Sequence, residues 1–232
     1  MRLDVVGASV VAVRFDFDAP PSAGDGFAQA SKAVIEERRR DVLGRLPPQQ
    51  TQRPAGMGLE ACLQAFAEPE LLKGENAYAC EACAKAAKTA GAPATRQSAL
   101  KWLQLVRTPP VLTLHLKRFA ASLGGGTRKL STPVPFPARL DVAPFCGGEQ
   151  PPAAVDELSG DAPASGAQYA LFGVVEHAGS LSGGHYTAYV RSGEQWRHFS
   201  DTSVSEASEA QALRAEAFLL FYERVEWEGI SS

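Results

Sequence analysis

The last third of the chain carries four β-runs, Tyr169–Glu176, His185–Arg191, Gln195–Phe199 and Ala217–Glu223. The first three follow one another with short connections, and a helix near Ser205–Ala215 is predicted before the fourth. Parallel neighbours need a crossover of about a dozen residues or more, so this spacing predicts an antiparallel sheet. The second run is entered through Gly183-Gly184 and reads His185-Tyr186-Thr187-Ala188-Tyr189; the third ends on Ser200-Asp201. Glycine carries no Cβ, so another backbone can approach closely there. A histidine on one strand and a polar pair at the end of another that can pair with it suit proton transfer. One imidazole nitrogen takes a partner and the other is left to accept a proton.

The remaining pattern mixes helix and strand, which makes the fold class α+β. Val11, Val13, Phe15 and Phe17 alternate, and a strand is expected across Val5–Val13 and beyond. Gly24–Leu46 reads as an amphipathic helix with Asp25 as N-cap and Pro47-Pro48 as its stop. Residues 47–57 form a flexible connection. A shorter helix is expected at Leu59–Phe66, where Leu59, Cys62, Leu63 and Phe66 fall at helical spacing and Cys62 packs as a small hydrophobe. Asn76–Cys83 reads as a turn region, Ala99–Leu105 and Pro110–Phe119 as strands, Gly124–Gly126 as a loop and Pro133–Leu140 as an extended edge. Residues 147–167, dominated by Gly, Pro, Ala, Ser and acids, are expected to be a disordered insertion.

A formal net charge of −3 gives no reason to expect nucleic acid or an anionic membrane surface as partner. The run Val5–Val13 is too short to span a bilayer, and Asp4 spoils a basic leader. The four cysteines, Cys62, Cys80, Cys83 and Cys146, therefore read as reduced thiols or metal ligands of the cytosol or nucleus. Cys80-Glu81-Ala82-Cys83 has the spacing of one zinc knuckle, and a tetrahedral site needs about four ligands. Half a metal site and two unligated thiols in a turn stay open as readings. His115, His177 and His198 read as structural histidines. No cysteine has the setting of an activated nucleophile.

Three ordered motifs narrow the reading further: Leu112-Thr113-Leu114-His115-Leu116-Lys117-Arg118-Phe119, Gly183-Gly184-His185-Tyr186-Thr187-Ala188-Tyr189, and Trp196-x-x-x-Ser200-Asp201-x-x-Val204. With the terminal Ala217–Glu223 they closely resemble the C-terminal boxes of the ubiquitin-specific proteases. Leu140-Asp141-Val142-Ala143-Pro144-Phe145 and Gly173-Val174-Val175-Glu176-His177 look most like the branch containing ubiquitin-specific proteases 16 and 45. The resemblance covers most of the chain outside residues 18–57 and 147–167. It implies a papain-like thiol hydrolase of thumb, palm and fingers, here mostly palm and part of the fingers. Such an enzyme cleaves the isopeptide bond after the ubiquitin C-terminal glycine, with ubiquitin and ubiquitinated proteins as partners.

By that resemblance His185 is the general base. Ser200, where many members have Asp or Asn, orients it, and Asp201 supplies charge or helps build the oxyanion site. Lys117 and Arg118 would be sheet-edge or ubiquitin-facing charges. The family's nucleophile lies in an Asn-x-x-Asn-Thr-Cys box that has no counterpart here. The expectation is a partial catalytic domain over residues 1–225, with a helical or flexible insertion at 18–57 and a tail at 226–232, inactive by itself. A non-catalytic ubiquitin-binding module is the alternative, and a zinc-bound structural adaptor a third. Catalysis needs no cofactor; structural zinc would join Cys80 and Cys83 if a second cysteine pair were restored.

Overall fold

The computed structural model describes residues 2–6, 11–16, 58–89, 91, 96, 98–105, 108–121, 125–146 and 168–225. The predicted helix Gly24–Leu46, both insertions, the loop centre at Gly124 and the tail lie outside them. In chain order the strands begin with β1 (Arg2–Val6), β2 (Val11–Asp16), β3 (Glu70–Leu72), β4 (Ala99–Leu105), β5 (Val111–Lys117) and β6 (Phe119–Ala121). They continue with β7 (Thr127–Lys129), β8 (Arg139–Asp141), β9 (Gln168–Ser180), β10 (Gly183–Ser192), β11 (Gln195–Ser200), β12 (Ser203–Ala207) and β13 (Ala217–Val225). The helices are α1 (Leu59–Ala67), α2 (Glu81–Thr89) and the single-turn α3 (Glu209–Ala212).

Eight of these strands make one antiparallel sheet in the order β1-β5-β13-β9-β10-β11-β12, with β8 beside β9. A smaller sheet runs β2-β4-β3, and β6 pairs with β7. Alternation along β5, between the edge strand β1 and β13, turns one face to the core: Leu112, Leu114 and Leu116 are buried while Val111 and Lys117 are exposed. That leucine row packs with Val174 of β9 and Leu220 of β13, and α1 adds Leu59, Cys62 and Leu63 to the same core. Tyr169 and Tyr222 bury their rings there and donate their hydroxyls to backbone carbonyls, Tyr169 to Pro109 at 2.5 Å and Tyr222 to Pro137 at 2.8 Å. Buried phenols keep such partners because an unpaired hydroxyl costs more than the bond returns in water. No helix among the described residues is long and apolar enough to cross a membrane.

Several predicted elements fall differently. The single strand expected across Val5–Val13 is two strands in two sheets, β1 on β5 and β2 on β4. The turn expected at Asn76–Cys83 is a 3-10 turn at Gly74–Asn76 followed by α2, so Cys83 is helical. The amide of Ala84 donates to Cys80 O at 2.9 Å, which makes Cys80 the entry to that helix. The expected helix at Ser205–Ala215 is the edge strand β12 and then one turn of helix. Ser208 closes that turn with a capping box, its Oγ accepting from the Gln211 amide while the Gln211 side chain accepts from the Ser208 amide. Of the extended edge Pro133–Leu140, Arg139 and Leu140 enter a strand, β8, and Val134, Phe136 and Leu140 alternate into the core.

Candidate active site

The hairpin of β9 and β10 carries the histidine. Its strands pair Ser180 with Gly183 across the turn residues Leu181-Ser182, and His185 with Ala178. Two glycines let the strands close there. Gly179 holds φ +127°, and a Cβ on it would stand 2.6 Å from both Gly183 O and Gly184 Cα. A Cβ on Gly184 would stand 2.5 Å from Ala178 O and overlap the His177 imidazole. Real side chains do not approach so closely, so the two glycines fix how β10 lies and hence where His185 begins.

The polar pair comes from the next hairpin. β11 pairs with β10 up to Phe199–Ala188, and Ser200 lies one step further along. β12 returns after Asp201-Thr202, Ser200 facing Ser203. Asp201 adopts φ +49°, a left-handed conformation that Asp enters more readily than most residues. This turn places Ser200 Oγ 2.8 Å from His185 Nε2. Asp201 Oδ2 lies 3.8 Å from His185 Nδ1, an ion-pair distance once the ring is protonated and longer than a hydrogen bond. The His185 side chain is 49% exposed and that of Asp201 79%, so solvent screens their attraction. With Nε2–H donating to Ser200, Nδ1 keeps its lone pair and can accept a proton, and Asp201 then faces the resulting cation.

The thiols of Cys62 and Cys146 sit in the core. Cys62 is 1% exposed inside α1, and burial pushes its thiol pKa up. Cys146 is buried, donates to Val142 O at 3.3 Å and is pushed up to about 11, chiefly by burial and then by the Asp141 charge. Such thiols resist ionisation. Cys80 is half-buried at the start of α2. Among the described residues no three or more His, Cys, Asp or Glu side chains cluster as a metal site. The Cys83 side chain lies outside the described residues.

On the other side of β10, where Tyr186 points, an open cavity of about 510 Å³ is lined by Lys117, Phe119, His177, Leu181, Tyr186 and Phe218 among others. Arg118 corrects the expectation of a sheet-edge or ubiquitin-facing charge: it is 1% exposed. Its Nε donates to Ala217 O at 2.6 Å, and its Nη1 to Leu130 O at 2.9 Å and Thr132 O at 3.0 Å. Glu216 lies 3.9 Å from the guanidinium and 3.2 Å from Lys129 Nζ, which donates to His177 O at 2.5 Å. Desolvation lowers the Arg118 pKa, and Glu216 opposes that change. Sequence reading missed this network because an Arg or Lys at a strand end looks the same whether it meets water or carbonyls. Of the other histidines, His177 is buried, His115 packs edge-on to Phe218 at 4.7 Å, and His198 lies 4.7 Å from the Tyr189 ring.

Comparison with known proteins gives these positions a context. The family model described as Ubiquitin carboxyl-terminal hydrolase matches residues 67–222. Ubiquitin carboxyl-terminal hydrolase 45 of Homo sapiens is 38% identical over 72% of the chain, and hydrolase 16 of Danio rerio is 34% identical over the same share. The chain spans 24% and 23% of those two proteins, about a quarter of each. The SAGA module containing Ubp8, solved bound to ubiquitin aldehyde, matches with TM-score 0.57 and 32% identity over 75% of this chain and 35% of that one. The same module bound to monoubiquitin gives 0.56 and 33% over 73% and 33%. The fold is therefore the α+β, papain-like fold of these enzymes, and the antiparallel sheet bearing His185 is part of it. With the family model covering more than half of its residues, the chain belongs to the ubiquitin carboxyl-terminal hydrolase family, among the ubiquitin-specific proteases related to hydrolases 45 and 16.

Proposed function

We propose that these residues form the base-bearing part of a thiol hydrolase that removes ubiquitin by cleaving the isopeptide bond after its C-terminal glycine. The observation that carries this is the His185 imidazole, held on Nε2 by Ser200 at 2.8 Å with Nδ1 left to take a proton. The attacking sulfur is assigned to a cysteine that is none of Cys62, Cys80, Cys83 and Cys146: none of the four lies in a box like the family's, and Cys62 and Cys146 are buried and hard to ionise. Its S–H proton passes to Nδ1 and the thiolate adds to the glycine carbonyl carbon. The C–N bond then breaks as the imidazolium returns that proton to the departing lysine amine. Water then adds to the thioester carbon, giving a proton to the same nitrogen; the C–S bond breaks and the departing thiolate takes that proton back from the imidazolium. Ser200 fixes the ring through both halves, and Asp201 stabilises the imidazolium.

The support is the family, the relatives' names as hydrolases and the ubiquitin aldehyde in the Ubp8 complex. In this reading catalysis uses no cofactor, zinc enters at Cys80 and Cys83 only with two further ligands, and the protein works in the cytosol or nucleus. A ubiquitin–fluorophore hydrolysis assay tests it. The 232-residue chain is expected to give no turnover, whereas a chain of the relatives' length is expected to turn over and to lose activity with His185→Ala. Turnover by the 232-residue chain that disappears on changing one of its own cysteines overturns the assignment of the sulfur. Activity in the long chain that survives His185→Ala overturns the base.

A second reading is a ubiquitin-binding module without hydrolysis. The exposed apolar side chains at the cavity, Leu181 at 60% and Tyr186 at 54%, favour a contact surface there. Saturable binding of ubiquitin, with no activity in either chain length, selects this reading over the first.

A further inference from the structure

Taking His185 as the base, as proposed above, we infer that His177 is its positioning residue, acting through the two residues that flank it. His177 lies on β9 directly opposite Tyr186 and is 5% exposed. Neighbouring residues on a strand point to opposite faces, so His177 and Tyr186 share the face away from His185. The His177 imidazole covers the α-carbon of Gly184: a Cβ there would overlap Nε2 and stand 2.8 Å from Cε1. On the other flank its ring centroid is 4.6 Å from that of Tyr186. One ring therefore grips the residue before His185 and the residue after it.

The grip is anchored from three directions. Phe119 meets the His177 ring edge-on at 5.6 Å, and Phe218 lies 5.8 Å away. The His177 carbonyl accepts from Lys129, itself 3.2 Å from Glu216. The residue thus ties β9, β13 and the β6–β7 hairpin to the strand that carries the base. Nδ1 of His177 is buried with no hydrogen-bond partner among the described residues. The imidazole therefore works through its flat shape, thin enough to lie on a glycine, and not through a hydrogen bond from that nitrogen. Loss of the ring would free Gly184, whose φ/ψ range is wide, and tilt His185 off Ser200.

The test reads the base itself, by nitrogen-15 NMR of the His185 ring in the 232-residue chain. In the parent chain the His185 Nε2–H signal is expected to be slowed in exchange by Ser200, and Ser200→Ala provides the reference for its loss. His177→Ala is expected to lose that signal at least as fully as Ser200→Ala does, while the amides of β11, β12 and β13 keep their positions. His177→Leu, which restores volume without a flat ring, is expected to lose it too. A retained signal in either folded variant overturns the inference. So does unfolding of both variants, which makes His177 a residue of the whole fold. Neither result touches the hydrolysis assay, so the positioning role and the function fail separately.

Discussion

Ser200 and Asp201 are adjacent in sequence and approach the same ring, yet their geometry gives them unequal weight. Ser200 makes a hydrogen bond at 2.8 Å, whereas Asp201 stands off at 3.8 Å with most of its carboxylate in water. In a hydrolase chain of the relatives' length, Ser200→Ala is expected to cut kcat/KM by about 10²-fold, the low end of what a positioned base supplies. Asp201→Asn is expected to cost roughly fivefold, the equivalent of ~1 kcal/mol for a screened pair, and to matter less as salt is raised. Steady-state kinetics at two ionic strengths check both; equal losses, or a larger loss for Asp201→Asn, would reverse the ranking. Gly184 is the other decisive residue. Gly184→Ala is expected to destabilise by about 1–3 kcal/mol in urea unfolding, because the new methyl meets Ala178 O and the His177 ring. An unchanged urea midpoint would mean that the hairpin can open at no cost.

At the scale of elements, Arg118 ties its own segment, between β5 and β6, to two others: β13 through Ala217 O, and the chain after β7 through Leu130 O and Thr132 O. A buried guanidinium is costly to desolvate, and removing it strands acceptors that have no water to replace it. Arg118→Met is expected to lower unfolding free energy by about 3–5 kcal/mol. Arg118→Lys should recover little of this, because one ammonium cannot reach carbonyls set around a planar fork. Chemical denaturation of the two variants decides; full recovery by Lys would reduce Arg118 to a point charge. The same element shows what the sequence made legible. The leucines of β5 alternate against polar neighbours, so their burial could be read directly; of the glycines before His185, Gly184 makes the close approach the sequence announced, while a Cβ on Gly183 would meet nothing. The guanidinium's direction could not be read, because nothing local separates a solvated arginine from one that caps carbonyls 99 residues away. β12 was hidden for another reason. Ser203–Ser205 and Glu206 are exposed, so this edge strand carries no apolar alternation to betray it. The Cys80–Cys83 spacing described ligand chemistry and was silent about the helix that begins between them.

Across the whole molecule, the site is a consequence of strand order. β10 is flanked by β9 along its length and by β11 from Ala188 onward, so the base sits where β9 alone pairs with the strand, while its partners ride on the turn into the exposed edge strand. The core behind that sheet is closed by groups that must stay neutral. Burial pushes Cys146 up to about 11 from 9.0 and Tyr169 up to about 12 from 10.0, and it raises Tyr222 as well. Each binds its proton more tightly folded than unfolded, so the stabilisation is fully present below the unfolded value and disappears as pH rises through the folded one. Stability is therefore expected to start falling near pH 9 as Cys146 begins to ionise in the unfolded chain, and to keep falling between 10 and 12 as Tyr169 follows. Thermal midpoints measured across that range, with tyrosinate absorbance recorded alongside, check the sequence of events. Burial raises Cys62 from the same 9.0, so Cys146→Val is expected to reduce the loss that starts near pH 9, and its combination with Cys62→Ala to delay the onset to the tyrosine window. Midpoints that stay level until pH 11, or an onset that the double change of Cys62 and Cys146 leaves in place, would show that these buried groups do not govern the alkaline limit.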